Sequence, residues 1–354
     1  MFCVAAFIIL AFLSAFSARY RSLAASAWRC TGRKITFRKC DTTFKQDLKD
    51  RLLGNLALRR PRLTRWLERW IEVLAFVFVM LTVWSLLMVI RGGIHLYVYG
   101  TCTPEQPEAC AVGADACGID TGRESWWQLT RDGQPQQWFV DEWQQWGDTL
   151  EQLPNRWRSW DTPSYVPDSA TYYSSYDPER PTAIEVIDPG CLFCKELFHN
   201  LRAADVHQTH NLTYLLYPIE LDGEYQFQHS PLVARYLEAT RQQPLQDATP
   251  PADWQLLERI FTEEDERGVV KQRLINGMED EDEVEQLLTS WLRDIGYSAE
   301  EVERIQQRTE SEPVAQALKQ QRQTVENDIQ TVMIPTLLLG DDRFDGIVEP
   351  EQLE

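Results

Sequence analysis

Basic residues are scarce in this chain of 354 residues, with 35 Lys and Arg against 54 Asp and Glu and a formal charge of −19. That balance excludes a general nucleic-acid binder, which needs a basic surface to displace counterions from phosphate. Glycine and proline number only 17 and 18, too few for a collagenous repeat. Apolar runs near membrane-spanning length are limited to two, which excludes a polytopic transporter. A hydrophobic fraction of 44% with 25% charged residues excludes a mostly disordered chain and fits one or two folded domains plus appendages.

The charge is unevenly spread. Between Arg19 and Arg69 there are 15 basic and 4 acidic residues, a net of +11, while the remainder carries −30. Apolar runs flank the basic stretch. Val4 to Ala18 (VAAFIILAFLSAFSA) precedes it, and Val73 to Ile90 (VLAFVFVMLTVWSLLMVI) follows it without a charge. At about 1.5 Å per residue, 18 to 20 helical residues reach roughly 27–30 Å, the thickness of a hydrocarbon core. The first run also has the length of a cleaved signal peptide, but no basic residue precedes it and Arg19 and Arg21 follow it, so it is read as a retained helix. The expected organisation is a transmembrane helix at 1–18, a basic cytoplasmic loop at 19–70, a second transmembrane helix at 71–91, a Cys- and Trp-containing juxtamembrane segment at 92–178 and a folded domain at 179–354. By the positive-inside rule both termini and that domain lie on the periplasmic or extracytoplasmic side of the inner (cytoplasmic) membrane. The basic loop is topological on this reading; contact of Arg59, Arg60, Arg62 and Arg65 with anionic lipid or protein is the alternative.

The juxtamembrane segment is dense in tryptophan. Phe139, Trp143, Trp146, Leu150, Leu153 and Trp157 recur in steps of four and three, an amphipathic helix ending near Pro154. Such a stripe is expected to pack on a neighbouring domain, or to lie at the membrane interface. From Pro181 the pattern becomes strand (Thr182–Ile187), a Pro-Gly turn, helix (Cys191 to about Val206) and strand (Leu212–Ile219). A helical block of about 226–330 follows, with Ser230-Pro231, Asp253 and the Ser298/Glu301 capping box as start signals. Two short strands, Thr336–Leu339 and Phe344–Val348, close the pattern. The fold class is α/β. Asn211-Leu212-Thr213 fits a glycosylation sequon but sits at a strand start and is read as coincidence. The acidic runs at 263–266 and 279–283 read as solvated helix ends.

Chemistry concentrates at Cys191-Leu192-Phe193-Cys194. A Cys-x-x-Cys pair alone serves a redox dithiol, half a zinc site or a structural disulfide. Closed zinc sites need four ligands; no second such pair occurs, and His199, His207 and His210 lack partner spacing. A disulfide closing so small a loop constrains the unfolded chain little. Cysteines that open a helix after a strand and a Pro-Gly turn have the helix amides and dipole to stabilise a thiolate. No metal and no cofactor beyond a redox-active Cys191–Cys194 disulfide is expected.

The segment Glu185-Val-Ile-Asp-Pro-Gly-Cys191-Leu-Phe-Cys194-Lys195 resembles the active-site strand and helix of thioredoxin-fold thiol–disulfide oxidoreductases, and the helical block ahead of Ile334-Pro335-Thr336 resembles the DsbA-like branch. The resemblance covers about Pro181 to Glu354. It implies a thioredoxin-like fold with a large helical insertion, preceded here by two transmembrane helices. It also implies roles: Cys191 as the attacking and most exposed sulfur, Cys194 as the resolving sulfur, Glu185 as a buried proton relay, and Pro335, preceded by Ile334, as a cis-proline shelf for substrate backbone beside Leu192 and Phe193. Glu185 as a solvent-facing acid and Pro335 as an ordinary trans proline are the plain alternatives. The implied partners are cysteine-containing extracytoplasmic proteins and a membrane redox partner. One departure stands out: strong oxidants of the family commonly carry His before the second cysteine, and Phe193 cannot donate to a thiolate. A less oxidising couple follows, with reductase or isomerase work open. The sequence also stops at Glu349–Glu354, where the fold normally begins a terminal helix.

Cys30 and Cys40 fall in the cytoplasmic loop and are expected to stay reduced. Cys102, Cys110, Cys117, Cys191 and Cys194 lie outside, an odd number, so once the active pair closes one of the first three is left over. Cys3 is a candidate partner for it; alternatively the extra thiol is a relay to Cys191. A reading in another class is a non-catalytic thioredoxin-like membrane adaptor, in which Cys191 and Cys194 are buried or permanently oxidised.

Overall fold

A computed structural model of the chain describes residues 11, 24–29, 61–99, 116–118, 126–221 and 223–353. The first apolar run apart from residue 11, most of the basic loop, and Cys3, Cys30, Cys40, Cys102 and Cys110 lie outside them. The chain divides into two compact units, Met1–Ile90 and Arg91–Glu354.

One long helix, α1 (Pro61–Tyr99), carries the second apolar run. Its stretch Val73–Val98 is long and apolar enough to cross a membrane, the one such helix among the described residues. No Pro breaks it and β-branched residues alternate with Leu, Phe and Met, so helix is the state in which lipid-facing backbone would be satisfied.

The second unit begins with the last turns of α1, then β1 (Cys117–Gly118), α2 (Trp126–Arg131) and α3 (Pro135–Gln152). Helix α3 does not bury its aromatic stripe. Trp143 is 77% exposed, and Phe139, Leu150 and Trp157 are exposed as well. The face it buries is polar: Glu142 pairs with Arg91, and Thr149 Oγ1 lies 3.1 Å from His95 Nε2. An ion pair and a histidine contact therefore set the rotation of α3 against the end of α1, and among the described residues most of the stripe stays exposed rather than packing on a neighbouring domain. Only Leu153, just past the helix, joins a small apolar cluster with Ile94, Val98, Ala116, Val332 and Met333.

Beyond the linker come β2 (Thr182–Ile187), α4 (Leu192–Ala203), α5 (Val206–Thr209), β3 (Asn211–Leu216), a small hairpin of β4 (Glu220–Leu221) and β5 (Glu224–Tyr225), and the helices α6 (Ser230–Arg241), α7 (Ala252–Thr262), α8 (Lys271–Gly277), α9 (Glu281–Ile295), α10 (Ala299–Thr309) and α11 (Glu312–Gln323). The strands β6 (Met333–Ile334), β7 (Thr336–Leu339) and β8 (Asp342–Asp345) close the order. The main sheet runs β3-β2-β7-β8. β2 is parallel to β3, with Thr182 opposite Asn211 and Ile187 opposite Leu216, and antiparallel to β7. Because β2 is central, all six of its residues are buried. A strand covered on both faces reads as a continuous apolar run, and TAIEVI does so except at Glu185.

Helix starts follow their sequence signals with small offsets. Ser298 and Glu301 form the capping box of α10, and Gly296 at φ 126° ends α9. Ser230 and Pro231 open α6, with His229 rather than Ser230 as the cap. Asp253 lies inside the first turn of α7, not ahead of it. Its Oδ2 accepts from Tyr214 at 2.9 Å and faces Arg241 at 3.4 Å. Arg241 also pairs with Glu238 at 3.3 Å and sits 4.1 Å over the Tyr214 ring. Gln321 completes the network, donating to Glu238 at 2.9 Å and accepting from the Leu216 amide at 2.8 Å. This buried polar knot ties the helical block to β3. Asn211 is buried, its amide donating to the Asp177 and Arg180 carbonyls at 2.7 and 2.9 Å.

Candidate active site

The turn after β2 places the dithiol. Asp188 Oδ1 accepts from the Gly190 amide at 2.7 Å and from the Ser230 hydroxyl, and its Oδ2 accepts from the Ile219 amide at 2.7 Å. Gly190 is required at this crossing, because an added Cβ would stand 2.6 Å from Ser230 Oγ and closer still to Phe227. Helix α8 latches the other side: Gln272 donates to the Pro189 and Cys191 carbonyls at 2.8 and 2.9 Å, and Asn276 donates to the Gly190 carbonyl at 2.8 Å. Cys191 is thereby held as the N-terminal cap of α4 in an extended conformation.

Cys191, Cys194, Glu185, Ile334 and Pro335 come together. The Ile334–Pro335 peptide is cis, and the Cys191 thiol faces the Ile334 carbonyl at 3.8 Å. Thr336 and Thr331 brace the loop, their hydroxyls 2.7 Å apart and each donating to the Met333 carbonyl. Burial alone would raise the Cys191 pKa. Hydrogen bonds from the Cys117 and Cys194 thiols and from the Cys194 and Phe193 amides outweigh it and hold Cys191 well below the ordinary thiol value. Cys194 goes the other way, pushed well up by burial, by the hydrogen bond it gives to Cys191 and by the charges of Cys191, Cys117 and Glu185. The Asp188 amide lies 3.4 Å from Cys194 Sγ.

Glu185 is fully buried, and neither carboxylate oxygen has a hydrogen-bond partner among the described residues. Burial therefore pushes its pKa well above the carboxylate range. Asp188 is raised to about 7 by burial, opposed by its hydrogen bonds from Ile219, Ser230 and Gly190 and reinforced by the charge of Cys191. Leu192 is 51% exposed and Phe193 half-buried, forming the rim.

One expectation changes here. Cys191 is not the most exposed sulfur; its relative exposure is 0%. β1 pairs antiparallel with β6, Cys117 opposite Ile334 and Gly118 opposite Met333, which sets Cys117 opposite the residue whose carbonyl the Cys191 thiol faces. Cys117 thus lies in the site itself, and no disulfide joins it, Cys191 and Cys194. The Phe193 side chain has no donor to give, and the Cys117 side chain lowers the Cys191 pKa in its place.

The sequence marked Ser230 only as a helix start and did not single out Asp188, Gln272 or Asn276 for the site. Asp188 was visible only as part of a turn, although an acid three residues before a helix-opening cysteine pair is a signal. Gln272 and Asn276 sit some eighty residues from the turn they hold, and nothing local marks them.

A parallel strand–helix–strand unit, a helical block and an antiparallel hairpin, with the dithiol opposite a cis-proline, define a thioredoxin-like domain with a helical insertion. No family model matches the chain, and no curated protein matches it. Among solved structures, a thioredoxin-like oxidoreductase from Silicibacter pomeroyi DSS-3 is similar over 52% of this chain and 88% of its own at 20% identity, with a TM-score of 0.36. The thiol-disulfide exchange protein alpha-DsbA2 from Wolbachia pipientis is similar over 52% and 84% at 16% identity, TM-score 0.36. ScsC from Proteus mirabilis in a compact conformation is similar over 65% and 93% at 14% identity, TM-score 0.38.

Proposed function

We propose that this chain is a membrane-anchored thiol–disulfide oxidoreductase acting through Cys191 and Cys194 on cysteine-containing proteins outside the cytoplasmic membrane. The observation that carries the reading is the placement of the two sulfurs at the start of α4, with the Cys191 thiol facing the carbonyl ahead of a cis-proline; their surroundings push them apart, Cys191 toward thiolate and Cys194 toward thiol. That asymmetry is what exchange needs, because the low-pKa sulfur is both the better leaving group and the thiolate present at neutral pH.

In the oxidised protein a client thiolate attacks Cys191 Sγ. The client–Cys191 bond forms, the Cys191–Cys194 bond breaks, and the electron pair leaves on Cys194. Burial disfavours a Cys194 thiolate, so it takes a proton, and Glu185, a buried acid whose charge acts on Cys194, supplies it. A second client thiolate then displaces Cys191, which departs as the stabilised thiolate. Run in reverse, the same steps reduce a client, and Glu185 accepts the Cys194 proton. Ile334 and Pro335 serve as the shelf for client backbone, and Leu192 and Phe193 line the approach. The anchor rests on Val73–Val98, and the extracytoplasmic placement on the charge split about it.

Complete burial of Cys191 favours a second reading, the adaptor whose dithiol never meets a client. A Cys194→Ala variant examined in native membranes separates the two. Capture of Cys191 in a mixed disulfide with another protein is expected, since the resolving sulfur is gone. Recovery of Cys191 wholly as thiol, in protein that is folded and membrane-bound, would leave only the adaptor.

A further inference from the structure

Strand β1 is placed like a client. It is two residues long, it runs antiparallel to the two residues that precede Pro335, and it sets a cysteine opposite Ile334, whose carbonyl faces the Cys191 thiol. Its sequence, Ala116-Cys117-Gly118, has small residues on both sides of the sulfur. Ala116 and Cys117 are buried, with Ala116 seated among Val98, Ile94 and Met333. Cys191 therefore has two cysteines at hand, Cys194 in the first turn of α4 and Cys117 opposite the residue whose carbonyl it faces, and hydrogen bonds from both lower its pKa.

We propose that Cys117 is a third redox-active cysteine, held in the client position as an intramolecular substrate of Cys191. This rests on the exchange reading above and adds the residue that occupies the groove. The Cys117 thiolate attacks Cys191 Sγ of the Cys191–Cys194 disulfide; the Cys117–Cys191 bond forms, the Cys191–Cys194 bond breaks, and the electron pair leaves on Cys194, which is protonated. Cys117 is oxidised and Cys194 reduced, with no outside oxidant consumed. The two-residue ladder is short enough to part, since an isolated strand pair is marginal in water. Its departure opens the same edge to an extended client segment whose cysteine is flanked by small residues, and external clients compete with β1 for it.

The test uses the full chain in detergent. A Cys194→Ser variant is treated with glutathione disulfide, quenched with N-ethylmaleimide, digested and mapped without reduction. Cys191 attacks the reagent, Cys117 displaces the bound glutathione, and two glutathione thiols are released for one internal disulfide. Most of Cys191 is expected in a peptide linked to Cys117. Cys191 as a stable glutathione adduct beside an alkylated Cys117 would overturn the proposal and leave the exchange reading standing. An unmodified Cys191 would remove both. A second measurement does not depend on Cys194: the pH profile of Cys191 alkylation in Cys117→Ala. Its midpoint is expected to move upward and its high-pH plateau to rise severalfold as donor and cover are lost, while Cys117→Ser restores the midpoint in part but forms no cross-link. A profile identical to the parent protein's would count against the proposal.

Discussion

At the residue scale, two buried acids work against the stability of the site they serve. Glu185 has no partner for either oxygen among the described residues, and its pKa in the folded protein is raised. The native state then holds a proton that the unfolded chain releases above its own carboxylate value. Stability is fully present below about pH 4.4 and is lost as pH rises toward the folded value, at about 1.4 kcal/mol per pH unit in that window. Replacing Glu185 by Leu is expected to flatten this dependence and raise the melting temperature at pH 7, while slowing turnover of a dithiol client. Urea melts at several pH values check the first outcome and a client-reduction assay the second. Asp188 behaves alike over a bounded window, from its unfolded value near 4 up to about 7, and Asp188→Asn should remove the slope there. Cys191 has the opposite sign. Its depressed pKa means that reactivity toward iodoacetamide should fall only as pH drops well below the free-thiol value of about 8.5; a midpoint at or above that value would contradict the geometry of its four donors.

At the scale of elements, the position of the dithiol depends on segments distant in sequence. Gly190 is fitted against Phe227 and Ser230, so Gly190→Ala must push the start of α6 away from the turn. Overpacking of this kind costs about 1–3 kcal/mol, and differential scanning calorimetry should find the loss. Helix α8 holds the turn from the other side, and Gln272→Leu, which strips the Pro189 and Cys191 carbonyls of their donor, is expected to shift the Cys191 alkylation profile with little change in overall fold by circular dichroism. The Arg241 knot is the joint between insertion and sheet. Removing only the cation, as in Arg241→Met, strands Glu238 and Asp253 in the core, and breaking a buried pair this way costs about 3–5 kcal/mol. A chemical melt should show that loss, and a partial return when Asp253 is changed to Asn in the same chain.

At the scale of the whole molecule, the division of charge and the apolar stretch Val73–Val98 set the expected placement. The protein should remain with membranes after alkaline carbonate extraction. Protease added to spheroplasts should cut within residues 126–353 and spare the basic loop. Accessibility of that loop from outside instead would reverse the topology. The aromatic stripe of α3 belongs to this scale as well, because Phe139, Trp143, Leu150 and Trp157 stay exposed.

Much of this protein was legible in its residues. β2, α4, the capping box of α10 and the end of α9 at Gly296 are marked locally, because strand and helix periodicity, caps and turns are properties of neighbours in sequence. The pairing of the Cys-x-x-Cys motif with Ile334-Pro335 came through resemblance. What the sequence could not decide was what lies against Cys191. Burial of that sulfur, the arrival of Cys117 in its groove, the grip of Gln272 and Asn276 on the active-site turn and the polar face on which α3 packs all arise between segments far apart along the chain. Such contacts follow from how strands pair and helices rotate once the core has formed, and a two-residue strand with no pattern of its own leaves no trace in sequence until it finds its partner.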